Sequence, residues 1–574
     1  MAIIDKLKFD TDIYNTLKNV IHYGKNVGEN WPVVYILNDA KEAYIGETHH
    51  ANVRMSQHLT NPDRRNLTDM TLISASNFNK SVILDLESFL IKHMSADGKY
   101  WLQNGNSGLS DHDYYNRSKY ESDFVKIWNE LKRLGIVNHT INEIENSNLY
   151  KYSPYKSLGP DQLEAEQQIL EALAKNMHNE NGAAILVRGG AGTGKTILAI
   201  YLMKLFADIN SKLDIDLVLD DYLDEAAEIH AASESLSSIK KIGIVFPQAT
   251  LKSSVSDVFE GIKSLNKKMV YSTTEVVDDF VKTGEKFDLL IVDEAHRLKC
   301  RYKGLLSQYP KFDACSEAVG LNRDEGNELE WILRCSRNQI FFRDELQTVR
   351  PSDMDGEDFI NILEKKSNLP IEVYLDTQWR CLGGNNYINY LKDMFSCTAT
   401  KFRSFDNYEF KLYKDIDKMI TAIKEKDRQY GLCRNAAGYA WKWKSKKDKK
   451  AYDIEIQEHK YRWNSTYDNW IATKKSIDEI GCIHTLQGYD LNYVGLIIGE
   501  DIKYDQKTGQ IYADKKNYFD RQGKAGVSND PKALKEYLIN IYLTLMTRGI
   551  RGTYLYICDD ALRNYFEKFI EIED

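Results

Sequence analysis

One stretch constrains this chain more than any other: Ile185-Leu186-Val187-Arg188 running into Gly189-Gly190-Ala191-Gly192-Thr193-Gly194-Lys195-Thr196. The apolar run reads as a buried parallel strand, the glycines as a tight turn, and Ile197-Leu198-Ala199-Ile200 as the start of a helix. The pattern G-x-x-x-x-G-K-[ST] is complete from Gly189 to Thr196. Glycines at these places let backbone N–H groups converge on phosphate oxygens without an intervening Cβ, while the new helix offers the positive end of its dipole. Gly189, Gly190, Ala191, Gly192, Thr193 and Gly194 are therefore expected to wrap phosphates. Lys195 is expected to hold the β and γ phosphates and Thr196 to ligate Mg2+.

A second run supplies what such a site needs. In Phe287-Asp288-Leu289-Leu290-Ile291-Val292-Asp293-Glu294, an apolar strand ends in two carboxylates, which places them at the carboxyl edge of a parallel sheet beside the phosphate loop. Asp293 is expected to hold magnesium through water and Glu294 to polarise the attacking water. Upstream, Gln162 can hydrogen-bond both edges of adenine and select ATP, with Gln167 competing for that role. Ile242 to Gln248 reads as another buried strand, and Thr250 follows where a nucleic-acid backbone could be touched. Residues 211 to 240 are rich in Asp and Glu and read as an insertion.

With 574 residues the chain has length for several domains, and 43% hydrophobic with 28% charged residues fits a globular protein. No apolar run reaches the roughly 18 residues that a membrane helix needs. The start, Met1-Ala2-Ile3-Ile4-Asp5-Lys6, lacks a signal-peptide pattern, so no membrane partner and a cytoplasmic location are expected. Eight cysteines are scattered without a C-x-x-C pair, which argues against a zinc site and a disulfide framework. The net charge of −9 does not decide nucleic-acid binding, which depends on local cation clusters. Trp441 to Lys450 is one such cluster, open to reading as a solvated loop or as a strand-contacting element.

Farther along come Gln339-Ile340-Phe341-Phe342 with Arg343-Asp344-Glu345-Leu346-Gln347, then Val373-Tyr374-Leu375 with Gln378-Trp379-Arg380. Gly481 to Asp490 leads into Val494-Gly495-Leu496-Ile497-Ile498, and Thr547-Arg548 precedes Thr553-Tyr554-Leu555-Tyr556-Ile557. In this order the stretches resemble the motifs of superfamily 1 helicases, most closely the helicase-like domain shared with the Schlafen proteins, from about residue 155 onward. The resemblance implies an α/β architecture of two RecA-like parallel-sheet lobes, 161–370 and 371–574. It also implies that Arg380 and Arg548 reach across a cleft to the γ phosphate, that Gln347 reports on it, and that Thr250, Thr485 and Gly488 touch the strand. DNA is the expected nucleic acid, and ATP with Mg2+ the expected cofactor.

The N-terminal part carries a separate pattern. Trp31 to Leu37 and Tyr44 to Thr48 read as two strands joined by a turn at Asn38-Asp39. Val53 to Leu59 and Ile83 to His93 are helical, and residues 9 to 30 read as a short helical lead-in. Tyr35, Tyr44-Ile45-Gly46, Arg54, His58 and Glu87, with Asn104 or alternatively Asn106, resemble the GIY-YIG endonucleases over residues 30 to 110, although Val33-Val34 replace Gly-Ile. That implies a small mixed α/β nuclease domain at 1–120, followed by a helical linker at 121–160. Tyr35 or Tyr44 would serve the water, Arg54 grip the phosphate and Glu87 hold a divalent Mg2+ or Mn2+. Arg54 and His58, four residues apart, would share a helix face.

Three functions are expected to compete: an ATP-dependent helicase with its own endonuclease, a nucleotide-gated switch on a nuclease that does not unwind, or an N-terminal module that only binds nucleic acid. The joint resemblance implies genome defence, with a homo-oligomer or a defence protein as partner.

Overall fold

Apolar residues that run on without alternation need cover on both faces, and Val33-Val34-Tyr35-Ile36-Leu37 is buried along its length. The computed structural model describes residues 2–104, 114–156, 158–176, 179, 182–210, 236–301, 309–324, 326–344, 353–366, 371–466, 470–486, 489–524 and 530–573. These group into two compact units, one of residues 1–160, 197–242 and 253–270, the other of 161–196, 243–252 and 271–574.

In the first unit, β1 (Ile3–Lys8), β4 (Val33–Asn38), β5 (Glu42–Thr48), β6 (Asp69–Ser74) and β7 (Trp101–Leu102) form a sheet in the order β1-β6-β4-β5-β7. All neighbours pair antiparallel except β7, which runs parallel to β5. The β4/β5 hairpin is closed by Asp39, whose Oδ1 accepts the Lys41 and Glu42 amides at 2.6 and 2.7 Å, the Asx-turn geometry that favours this residue. Its register sets Tyr35 opposite Gly46. A Cβ on Gly46 would overlap the Tyr35 hydroxyl, so glycine is what lets the phenol lie across the hairpin.

Residues 9 to 30 are not one helical lead-in. A short helix, α1 (Ile13–Lys18), precedes a ribbon of β2 (Ile21–His22) and β3 (Lys25–Asn26). Tyr23 and Gly24 both take positive φ (52° and 68°), the two-residue turn that matches strand twist. The expected helices are present as α2 (Ala51–Thr60) and α3 (Lys80–Asp97). The stretch read as a linker is also folded onto α3. In α4 (Arg117–Arg133), Trp128 is fully buried against Phe89 and His93. The short helices α5 (Ile141–Glu145) and α6 (Asn148–Lys151) follow, the first closed by a Thr140/Glu143 capping box.

The second sheet contains β8 (Ala184–Gly189), β9 (Ile242–Val245), β10 (Val270–Tyr271), β11 (Phe287–Val292), β12 (Ser336–Arg343) and β13 (Ile371–Leu375), ordered β10-β9-β11-β12-β8-β13. β8 lies between β12 and β13 and parallel to both. This sheet therefore runs through Leu375, past the 370/371 division drawn on sequence. The helix α7 (Pro160–Asn176) precedes β8, and α8 (Lys195–Asn210) follows its loop.

A third sheet follows in chain order: β14 (Glu409–Tyr413), β15 (Arg434–Ala437), β18 (Ile480–Gly481), β19 (Leu491–Ile498), β22 (Gly549–Ile557) and β23 (Glu571–Glu573), ordered β18-β15-β19-β22-β14-β23 and parallel throughout. Two ribbons decorate it, β16 (Ile454–Ile456) with β17 (His459–Tyr461), and β20 (Ile502–Asp505) with β21 (Gln510–Ala513). Six of the cysteines are buried thiols and all eight are free, as expected for residues that fill a core. Among the described residues, no helix is long and apolar enough to cross a membrane. Most of the acidic insertion, 211–235, lies outside the described residues.

Replacing Gly46 by Ala is expected to cost the N-terminal unit about 1 to 3 kcal/mol, the usual penalty of overpacking. Urea unfolding checks it: an unchanged midpoint would mean that the Tyr35 ring moves aside freely.

Candidate functional site

The loop after β8 owes its shape to two glycines and two amide side chains. Gly192 and Gly194 both sit at φ +80°, where a Cβ is strained. A Cβ on Gly192 would strike the Gln378 carboxamide, and one on Gly194 the Gln162 amide. Lys195, almost fully buried, donates to the carbonyls of Gly189 and Gly190 at 2.8 and 2.7 Å and approaches Asp344 Oδ2 at 3.4 Å. Thr193 closes the turn by donating to Gly190 O at 3.0 Å.

The carboxylates at the end of β11 meet this loop as expected. Thr196 Oγ1 donates to Asp293 Oδ2 at 2.7 Å. Asp293 is completely buried and its Oδ1 has no hydrogen-bond partner among the described residues. A hydroxyl beside a buried carboxylate with a spare oxygen fits hydrated Mg2+ bound with a triphosphate. Burial first, and then the adjacent Glu294 charge, pushes Asp293 up. Burial acts on Glu294 in the same sense, but His296, Arg297 and Lys195 hold it well below the ordinary carboxylate range.

Glu294 itself sits at φ 52°, a left-handed conformation that costs a non-glycine residue about 1 to 2 kcal/mol. His296 steadies it, with Nε2 2.9 Å from Glu294 Oε2. The other nitrogen, Nδ1, accepts the Asp344 amide at 3.3 Å, which turns Nε2 toward Glu294.

After β13 the chain crosses back over the loop. The amides of Trp379 and Arg380 donate to Gly192 O at 2.9 and 3.2 Å. Gln378 Nε2 donates to Ala191 O, while its Oε1 accepts the Arg380 amide at 2.7 Å and the Cys381 amide at 3.4 Å. Asp161 holds the same segment through the Thr377 amide at 3.0 Å and Trp379 Nε1 at 3.4 Å. Arg380 is paired with Asp490, Nε to Oδ1 2.5 Å. Arg548 is buried between the helix Pro531–Met546 and β22, and its carbonyl accepts the Leu491 amide at 2.9 Å.

Two expected contacts, those of Gln162 and Thr485, are placed differently. Gln162 is buried and spends its amide on the carbonyls of Thr193 and Gly194, at 3.4 and 3.2 Å, so it braces the loop; Gln167 is exposed. Thr485 is buried in a turn, where its hydroxyl accepts from Cys482 N and donates to Cys482 O, both at 3.0 Å, so it is not held out to a strand. Thr250 is half-buried in the helix Ala249–Glu260. Gln347, Gly488 and Asn106 lie outside the described residues.

A second polar cluster lies on the N-terminal sheet. Tyr35 Oη is 2.8 Å from His58 Nε2, and Arg64 Nη1 is 3.1 Å from His58 Nδ1. Because a guanidinium only donates, Nδ1 accepts and the neutral ring turns its Nε2–H to the Tyr35 oxygen. The Arg64 guanidinium also stacks on the Tyr44 ring, 3.6 Å from its centroid. Burial, above all, and then the Tyr44 neighbour raise Tyr35 well above the ordinary phenol value, so it is a neutral phenol at pH 7. Burial acts to lower Arg54, but the facing phenols of Tyr35 and Tyr44 outweigh it and hold the guanidinium firmly charged. Burial, with Arg64 and Arg54 nearby, lowers His58 to about 2.

Glu87 is half-buried on α3, close enough for its charge to act on Tyr35. No cluster of three or more His, Cys, Asp or Glu side chains that could hold a metal occurs among the described residues. Asn104 has a structural task. Its Oδ1 accepts the Ile45 amide at 3.1 Å and its Nδ2 donates to Ile45 O at 2.8 Å. The side-chain amide thereby continues the β5/β7 ladder one step beyond Leu102. Arg64 had no motif to mark it, and His296, Asp344 and Gln378 were visible only as parts of patterns.

Comparison with known proteins adds to this geometry. Residues 182–559 match the family described as Schlafen group 3, DNA/RNA helicase domain. An uncharacterized protein of Saccharomyces cerevisiae is 26% identical over 447 residues, 71% of this chain and 90% of the yeast protein. Among solved structures, Pif1 helicase from Bacteroides in complex with ADP-AlF3 and ssDNA is 11% identical, with 70% of this chain and 92% of that one covered and a TM-score of 0.27. Pif1 helicase from Candida albicans is 10% identical, with 71% and 96% covered and a TM-score of 0.29.

Two outcomes follow from the geometry. His58 is neutral when folded and protonates near 6.5 when unfolded, so the unfolded chain binds the extra proton. Stability should be full above about pH 6.5 and fall as the pH drops below it, by at most about 1.4 kcal/mol per pH unit. Denaturant titrations between pH 8 and pH 4 test this, and His58→Gln should flatten the trend. Gln378→Ala should lower the kcat of ATP hydrolysis about tenfold or more with less effect on KM, because it frees the Arg380 backbone from the loop; an unaltered kcat would refute the bracing role.

Proposed function

The chain belongs to the Schlafen group 3 DNA/RNA helicase-domain family, and on that premise we propose that it is an ATP-driven motor on nucleic acid, DNA in the first instance, with a metal-dependent nuclease at its N-terminus. The observation that carries the motor reading is the 2.7 Å contact between Thr196 of the phosphate loop and the buried Asp293, beside Lys195 and Glu294. Mg2+ bound with ATP would supply charge neutralisation at the β and γ phosphates. Thr196 and Asp293 would hold it, Lys195 would leave its loop carbonyls for the phosphates, and Glu294 would orient water. Arg380 and Arg548 are proposed to stabilise charge on the γ phosphate.

The nuclease reading rests on Tyr35, Tyr44, His58 and Arg54 meeting around one hairpin and on the resemblance of that set to the GIY-YIG endonucleases. Tyr35 is proposed to orient water as a neutral phenol, Arg54 to bind the phosphate, and Glu87 to hold Mg2+ or Mn2+. Co-occurrence of the two modules is what suggests genome defence as the setting.

A second reading, in which ATP gates the nuclease without unwinding, is favoured by packing inside the first unit. Lys204 of α8 lies 5.1 Å from the Tyr155 ring, Asn148 donates to Ser254 at 3.3 Å, and Lys263 pairs with Glu42 of β5 at 3.1 Å. The helix that leaves the phosphate loop thus touches Tyr155, in the stretch that follows the N-terminal module.

The experiment measures ATP hydrolysis, strand displacement and Mg2+-dependent cleavage on single-stranded, duplex and forked DNA. Lys195→Ala should reduce strand-stimulated hydrolysis about a hundredfold or more, and Tyr35→Phe should abolish cleavage while leaving hydrolysis intact. Hydrolysis that no nucleic acid stimulates and that Lys195→Ala leaves unchanged would defeat the motor; ATP-dependent displacement would eliminate the gating reading.

A further inference from the structure

Between β15 and β18 the chain makes an excursion that none of the nucleotide-site residues needs. It holds Trp441-Lys442-Trp443-Lys444-Ser445-Lys446-Lys447-Asp448-Lys449-Lys450, six lysines against one aspartate in a chain whose net charge is −9. All six lysines are exposed. Lys444 pairs with Glu455 at 3.0 Å; among the described residues no carboxylate pairs with the other five. Leaving five adjacent lysines unpaired is electrostatically unfavourable, and blocks of this kind are usually disordered tails.

Here the block is built. Asp453, itself buried, accepts the Ser445 amide at 2.7 Å and the Trp463 amide at 2.9 Å. Turn hydrogen bonds join Lys444 to Lys442, and Lys447 and Asp448 to Lys444. Beneath it, Trp463 is buried among Tyr439, Trp441 and Trp443, with ring centroids 5.5, 6.5 and 6.1 Å away. The lysines therefore project from an ordered aromatic base.

Cations also sit over part-exposed rings around this base. Lys446 lies 5.8 Å from the Trp443 ring and Arg462 4.5 Å from Tyr452, a tyrosine 42% exposed. Lys442 and Lys524 converge on Phe519 at 5.6 and 5.8 Å. Burial, and then the nearby Lys515 ammonium, lower the Lys524 ammonium below its ordinary value.

We propose that this platform, the Lys442–Lys450 loop with Tyr452, Arg462, Phe519 and Lys524, is an accessory contact for single-stranded nucleic acid, outside the helicase motifs. The lysines meet the phosphates, and the cation-capped rings offer faces on which bases stack, the combination that binds single strands with little sequence preference. An acidic polypeptide would use the charges but not the rings. The inference rests on the nucleic-acid reading above and names a surface that holds the strand.

The test is the salt dependence of binding of a fluorescent single-stranded oligonucleotide to the full-length protein and to K446Q/K447Q/K449Q/K450Q, with polyglutamate as a second probe. Each phosphate contact contributes about −0.7 to the slope of log K against log salt for single strands. The variant should therefore lose roughly 2 to 3 units of slope and bind at least about tenfold more weakly. Its ATP hydrolysis without nucleic acid should be unchanged, and the same four positions changed to Arg should restore binding. A variant with wild-type slope and affinity overturns the platform while strand-stimulated hydrolysis keeps the motor reading alive. Loss of polyglutamate binding alone also overturns it. Wild-type hydrolysis that no strand stimulates, with no strand bound, defeats both.

Discussion

Everything at the nucleotide site depends on how the carbonyls of one glycine loop are satisfied from outside it. For the amides of Gly189 to Thr196 to face inward to a phosphate, the peptide oxygens must turn away, and each buried oxygen then needs a donor. Gln162 supplies one to Thr193 and Gly194, Gln378 one to Ala191, and the amides of Trp379 and Arg380 both serve Gly192. The glycines at φ +80° are the complement of this bracing, because a side chain at Gly192 or Gly194 would fill the space the amides occupy. In the structure Lys195 is itself one of the donors, to the carbonyls of Gly189 and Gly190.

Both polar clusters use a buried histidine whose second nitrogen is engaged by a donor outside the pair it serves. The Asp344 amide fixes His296 and presents its Nε2 to Glu294, and Arg64 fixes His58 and presents its Nε2 to Tyr35. Burial with Arg64 and Arg54 nearby keeps the His58 ring from readily taking up a proton, and that ring orients Tyr35. The difference lies in charge. Glu294 is held ionised by His296, Arg297 and Lys195, whereas Tyr35 is held neutral by burial.

Charge is likewise arranged locally and not in sum. The chain is acidic, yet five lysines of the loop after β15 pair with no carboxylate among the described residues, while Lys8, Lys80, Lys411, Lys424 and Lys426 are paired with carboxylates. A field of that kind acts within about 10 Å at moderate salt, so the distribution of cations decides what binds and the total decides little.

What the sequence determined by itself were features in which the chemistry is local. The strand, loop and helix around Lys195, the paired carboxylates ending β11, and the hairpin that sets Tyr35 against Gly46 follow from residue types at fixed spacing, because neighbours along the chain satisfy each other there. What only the tertiary structure decided were partners far apart in sequence. Asp161 and Gln378, 217 positions apart, hold one crossing segment against the loop; Asn104 completes a ladder with Ile45; Arg64 reaches His58 and Tyr44 from beyond the end of α2; and β13 joins the sheet of β8 despite lying past the apparent boundary. Gln162 and Thr485 show the same limit in reverse. A glutamine or threonine can hydrogen-bond a ligand or its own backbone equally well, and burial, which spacing does not reveal, selected the backbone.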